Sequence, residues 1–178
     1  MKLRGKAWKF DGVLDVDWEI CPLDVTKQVM PRYQLGELTK EEVMKEIGRH
    51  CMTMVDPDFP KKVQPGDFLI GGRGMGYGHD HDHACVSIKG AGISAVICEA
   101  TGGYFKRNSI HHGLPVIELK GIMSAVDQGD EVELDLAAGT VKNLTSGKTV
   151  TFQPWPEFLI DMIRAGGLYP SIGLDHIL

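Results

Sequence analysis

The sequence predicts one α/β domain over residues 1–178 that ends in a β-rich third. Its 178 residues, 43% hydrophobic and 24% charged, have the size and balance of one globular domain with an adequate core. Two short continuous apolar runs, Phe68-Leu69-Ile70 and Ala95-Val96-Ile97-Cys98, read as buried strands and alternate with helical patterns. Beyond residue 130 the apolar period becomes two.

Ala7 to Phe10 predicts a short first strand, with Asp15-Val16-Asp17 in the loop after it. Leu38 to Met54 predicts a helix. Thr39 and Glu42 have capping-box spacing, and Val43, Ile47 and Cys51 recur on one face. Asp56-Pro57-Asp58-Phe59-Pro60 ends it, because proline disfavours helical backbone at the residue before it. Gln64-Pro65-Gly66-Asp67 is a turn into the strand Phe68–Ile70. A glycine-dense loop over Gly71, Gly72, Gly74, Gly76 and Gly78 leads to a helix from His83 to Gly90, and the strand Ala95–Cys98 follows. Leu114 to Glu118 is one more strand. Glu131 to Leu136 alternates polar and apolar, and Thr140–Leu144 and Thr149–Phe152 flank Ser146-Gly147 as hairpin partners. Pro156 opens a last helix with Phe158, Leu159, Met162 and Ile163 on one face, and Gly166-Gly167 closes it.

Composition excludes several functions. A net charge of −5 with no basic stripe argues against nucleic acid as a partner. The most apolar stretch, Ala84 to Ala100, is interrupted by Lys89 and is too short and polar to span a bilayer. No apolar signal core follows the basic start Met1–Lys6, so Asn143-Leu144-Thr145 reads as a turn rather than a glycosylation site. Cys21, Cys51, Cys85 and Cys98 form no C-x-x-C pair, which predicts reduced thiols, a cytoplasmic location and no metal cluster in this chain.

The chemistry concentrates in Gly72-Arg73-Gly74-Met75-Gly76-Tyr77-Gly78-His79-Asp80-His81-Asp82-His83-Ala84. A strand enters this loop and a helix leaves it, so unpaired backbone N–H groups favour an anion there. The dinucleotide fingerprint fails at His79 and no Walker Lys-Ser/Thr exists, so a carboxylate ligand fits better than a nucleotide. The histidines allow a base or hydrogen-bond donor, a divalent metal held by His79, His81 and Asp82, or a plain polar turn. Arg107, within Lys106–His112, could clamp a carboxylate, or the segment is a solvated turn. Asp15 and Asp17 are a close acidic pair, ordinary for a loop or cap. His50 and His176 carry no functional expectation.

Many motifs occur in the order of one family. They include Gly5–Phe10, Asp15-Val16-Asp17, Met30-Pro31-Arg32-Tyr33, Gly48-Arg49-His50-Cys51-Met52 and Asp56–Phe59. Lys61–Asp67, Gly76-Tyr77-Gly78 closing on His83-Ala84, Ala91–Ile97, Arg107-Asn108 with Gly113-Leu114-Pro115, Gly129–Val132 and Pro156-Glu157-Phe158 through Leu168 continue it. Over nearly its whole length the chain resembles the small subunit of 3-isopropylmalate dehydratase, in the aconitase superfamily. The resemblance implies the aconitase-type swivelling domain, an α/β fold of three β/β/α layers with a small β-barrel or sandwich. It also implies a separate large subunit carrying a [4Fe–4S] cluster, with a hydroxylated di- or tricarboxylate bound between the two and dehydrated, often with water re-added at the neighbouring carbon. No cofactor is then expected in this chain, and a homo-oligomer is open to it when alone.

The active-site loop departs from the family. Where the family has Gly-Cys-Gly-Ser-Ser-Arg-Glu-His-Ala, residues 76–84 read Gly-Tyr-Gly-His-Asp-His-Asp-His-Ala. By position, the resemblance assigns catalysis to His79, Asp80 and His81, and substrate contact to Gly76, Gly78 and His83, with Arg73 or Arg107 supplying the positive charge that His81 no longer guarantees. A second departure is an insertion between Asp17 and Met30, in a segment that in the family helps set substrate fit. Three readings follow: a hydro-lyase small subunit of altered specificity, a metal-binding domain without the iron–sulfur partner, and a non-catalytic binding module on the same fold.

Overall fold

A computed structural model describes residues 1–174; His176 lies outside the described residues. A seven-stranded mixed sheet has the order β6-β5-β3-β1-β7-β8-β9, and β2 and β4 form a separate two-stranded sheet. The strands are β1 Lys2–Phe10, β2 Val13–Asp15, β3 Phe68–Gly71, β4 Gly74–Tyr77 and β5 Ala95–Cys98. They continue with β6 Val116–Glu118, β7 Glu131–Asp135, β8 Thr140–Asn143 and β9 Thr149–Thr151. The longer helices are α1 Leu23–Gln34, α2 Lys40–Gly48, α4 His83–Gly90, α5 Gly103–His111 and α7 Glu157–Arg164. Single-turn helices α3 Phe59–Lys62, α6 Ile122–Ala125 and α8 Leu168–Ser171 fill the connections, and a π-helical turn spans Val16–Ile20. No helix among the described residues is long and apolar enough to cross a membrane.

The long strand β1 is the hinge of the architecture. Its second half, Ala7–Phe10, pairs parallel with β3, while its first half, Lys2–Lys6, pairs antiparallel with β7. The sequence predicted only Ala7–Phe10. The polar half becomes strand because β7 supplies partners, and Lys2 and Arg4 reach Glu133 and Glu131 across that pair. Inner-face residues of the parallel half (Phe68, Ile70, Ile97) and the antiparallel half (Val132, Leu134, Val141) share one buried cluster with Ile160 of α7. The sheet therefore curls over itself into two β layers. Its opposite face, with Leu69 and Val96, packs on Ala84, Cys85 and Ile88 of α4, the third layer. The expected three-layer α/β fold is observed.

Phe59 anchors that outer cluster, fully buried edge-on to Trp8 with ring centroids 5.1 Å apart. Such burial stabilises by about 2–3 kcal/mol. The Trp8 indole N–H donates to Asp67 at 2.9 Å, and the same carboxylate accepts from the backbone N–H groups of Lys6 and Gln64. One buried side chain thus ties the turn before β3 to β1.

Several expectations change. The Thr39/Glu42 capping box forms, but α2 stops at Gly48 rather than Met54. Met52 takes a left-handed φ of 57°, and its N–H donates to Ile20, which pulls the chain off the helical path. The inserted segment between Asp17 and Met30 holds most of the π-helical turn and the first part of helix α1, whose single buried residue, Val29, joins Val43 and Ile47 of α2 and Val86 of α4 in a third cluster. The Lys106–His112 turn is instead most of helix α5. In α7, Ile160 and Ile163 face inward, whereas Phe158 is 70% exposed.

Candidate active site at the Gly78–His83 tip

Part of the glycine loop is a strand. β4 pairs parallel with β2, with Asp15 opposite Tyr77 after a register shift at Leu14/Asp15. This pairing brings the start of the π-helical turn beside the residues after Tyr77, across 62 positions of sequence. Gly76 and Gly78 both have positive φ, 66° and 105°. A side chain at Gly76 would overlap the Phe105 ring, and one at Gly78 would overlap the Asp15 carboxylate. Gly76 is buried against Phe105, while Gly78 is exposed.

Asp17 is the centre of the tip. Its carboxylate accepts from His79 Nδ1 at 2.9 Å through one oxygen and from His81 Nδ1 at 2.8 Å through the other. A carboxylate only accepts, so both Nδ1 atoms carry protons, and in the neutral rings both Nε2 atoms carry lone pairs. Burial of Asp17 opposes its ionisation, but the hydrogen bonds of His81 and His79, with the charge effects of His81 and His83, outweigh it and hold the carboxyl below its ordinary range. His79 is 75% exposed, His81 43% and Asp17 15%, so a half-buried carboxylate orients two imidazoles toward the outside.

The remaining predicted residues separate. His83 is buried and donates from Nε2 to the Cys21 carbonyl at 3.0 Å. Burial lowers its pKa against that bond and the charge of Asp17, so it is held as a neutral anchor beneath the tip. Asp82 lies 3.1 Å from His112 Nε2, away from the Asp17 cluster. The carboxylate grouped with His79 and His81 is therefore Asp17, where the sequence pointed to Asp82. Asp80 is exposed, and its carbonyl accepts from Asn108 Nδ2 of α5 at 2.8 Å. Arg107, one residue earlier, stacks on Tyr104 at 4.9 Å. Arg73 opens onto a groove of about 420 Å³ with Val13 and Tyr77, separate from the tip cavity. The sequence missed Asp17 as a site residue because an acidic pair in a loop is ordinary; only the β2–β4 pairing gives it partners.

An apolar cavity of about 210 Å³ opens beside the tip. Leu23, Thr26 and Met30 of α1 form one wall, Val43, Ile47 and Val86 another, and His81 and His83 reach it.

The chain itself offers little to an iron–sulfur cluster. All four cysteines are buried, and burial pushes Cys21 up to about 11 and Cys85 and Cys98 up to about 12, with Cys51 raised further. Thiols so disfavoured as thiolates are poor ligands. The only group of three or more metal-ligating side chains brought together among the described residues is Asp17, His79 and His81.

No protein-family model matches the chain. It is 44% identical over 170 residues to the isopropylmalate/citramalate isomerase small subunit of Methanocaldococcus jannaschii, covering 96% of this chain and 93% of the relative. It is 39% identical over 168 residues to the 3-isopropylmalate dehydratase small subunit of Thermodesulfovibrio yellowstonii, covering 94% and 92%. The crystal structure of 3-isopropylmalate dehydratase from M. jannaschii superposes with a TM-score of 0.80 at 30% identity, covering 97% of this chain and 94% of that one. Close sequence agreement over nearly the full length of both partners, on the same curled sheet, places the chain in the 3-isopropylmalate dehydratase small-subunit family.

Proposed function

We propose that this chain is the small subunit of a hydro-lyase acting on a hydroxy-dicarboxylate such as 3-isopropylmalate or citramalate. The full-length agreement with relatives named as small subunits of such enzymes carries the reading. A small subunit works with a large one, and we assign the [4Fe–4S] cluster to that partner, in keeping with the buried, protonated thiols here.

Dehydration of a hydroxy-acid requires removal of a proton from carbon next to a carboxylate and a grip on the substrate's negative charge. We assign the proton acceptor to His79 Nε2, with His81 Nε2 as its neighbour; Asp17 fixes both rings and stabilises the imidazolium that forms. We keep Asp80 in the catalytic set by its place between the two histidines, where Asn108 pins its backbone carbonyl. We keep Gly78 as a substrate contact through its exposed backbone, and assign charge compensation to Arg107 on α5 and Arg73 at the neighbouring groove. The apolar cavity beside His81 suits the alkyl substituent of a substituted malate.

The test is co-expression with the candidate large subunit, anaerobic reconstitution, and ultraviolet detection of the unsaturated diacid formed from 3-isopropylmalate or citramalate. The expected result is turnover that needs both subunits and falls at least about 100-fold in His79→Ala. An assembled pair that converts neither acid, or an unaffected H79A enzyme, overturns the reading.

A further inference from the structure

We propose that Asp17, His79 and His81 form a binding site for one divalent transition-metal ion. The donor set is two imidazoles and one carboxylate, a combination that suits Zn²⁺, Co²⁺ and Ni²⁺. The ligand atoms already lie within 4.8 Å of one another. More telling are the nitrogen-to-oxygen separations of 2.9 and 2.8 Å. Neighbouring ligands bonded at about 2.0–2.1 Å stand roughly 3 Å apart around a metal, so the spacing of these donor pairs matches a coordination sphere once the rings turn from the carboxylate oxygens toward a shared ion.

The backbone under the site is held in place. Asp15 accepts from the Asp17 N–H at 2.8 Å, and Asn108 holds the carbonyl of Asp80 between the two histidines. The two imidazoles come from the irregular segment after β4 and the carboxylate from the π-helical turn Val16–Ile20, so the tertiary fold brings the donors together before any ion arrives. His79 and His81 are exposed enough to leave coordination positions open to water or to a carboxylate ligand.

Coordination through Nδ1 requires each ring to give up the proton it shares with Asp17, which an imidazole does by carrying its proton on Nε2. The loaded tip then presents positive charge and two Nε2–H donors instead of two lone pairs. The proton-acceptor role of His79 thus belongs to the metal-free tip and metal binding defines a second state of it; binding is measurable on the chain alone, whatever the enzyme assay gives.

The experiment uses untagged full-length chain, stripped with a chelator and titrated with Zn²⁺ and Co²⁺ by calorimetry and equilibrium dialysis. One equivalent is expected, with Co²⁺ giving visible d–d absorption. Asp17→Asn and His81→Ala should weaken affinity at least about 100-fold, while His50→Ala leaves it unchanged. Nitrogen-15 spectra of the wild-type chain add a readout that does not depend on how variants fold: Zn²⁺ should shift the Nδ1 resonances of His79 and His81. Absence of stoichiometric binding for Zn²⁺, Co²⁺ and Ni²⁺, or binding that leaves those resonances unmoved, overturns the proposal.

Discussion

At the residue scale, Asp17 is worth more than its place in an acidic loop suggests. Two imidazoles share its two oxygens, so its loss releases both rings at once. Asp17→Asn leaves the volume unchanged but forces one ring to face an amide N–H donor. The reconstituted enzyme should lose about 100-fold or more in kcat while the melting temperature of the isolated chain changes little; equal loss in both would make Asp17 structural. Gly76 makes the opposite case. It needs a left-handed backbone and the space taken by Phe105, so Gly76→Ala should destabilise the chain by about 3 kcal/mol, measurable by urea denaturation. A neutral substitution there would contradict the packing described.

At the element scale, tertiary pairing decided boundaries that local pattern had drawn differently. Helix α4 starts at His83 and ends at Gly90 as the sequence predicts, because its apolar residues are buried on all sides. Helix α1 goes unpredicted because Pro22, Pro31 and a weak apolar stripe hide a helix held by one buried valine and its neighbours. Between α5 and β6, Glu118 accepts from Lys106 Nζ at 2.6 Å. That bond holds the Glu118 carboxyl below its usual range, against the opposing effect of burial. A depressed carboxyl pKa contributes stability above its unfolded value and loses it as pH falls through the folded one. Glu118→Gln should therefore lower the urea midpoint at pH 7 and have progressively less effect as the pH falls below the ordinary carboxylate range. A difference that persists undiminished in acid would point to packing instead.

At the scale of the whole molecule, the curled sheet presents one tip and a rim of exposed aromatic residues. Trp18 is 59% exposed in the π-helical turn beside Asp17, and Tyr77 is 47% exposed just before Gly78. Such residues are costly in water and are favoured at the centres of interfaces. If the large subunit closes over the tip, the double substitution Trp18→Ala/Tyr77→Ala should weaken assembly by about 30-fold or more by sedimentation, with the fold of the isolated chain intact. Undiminished assembly would move the interface to another face.

The sequence alone determined the class of fold, the central strands and α4, because continuous apolar runs and local helix signals do not depend on distant partners. It also singled out one loop, since glycines and histidines packed together stand out without coordinates, and the structure joins His79 and His81 of that loop to Asp17. It did not yield the polar half of β1, the helices α1 and α5, or the carboxylate that organises the histidines. Each of these exists only because segments far apart in the chain meet: Lys2–Lys6 against β7, α1 against α2 and α4, and Asp17 against His79 and His81 through the β2–β4 pair. A side chain's partners are set by what folds next to it, and that is fixed only when the sheet closes.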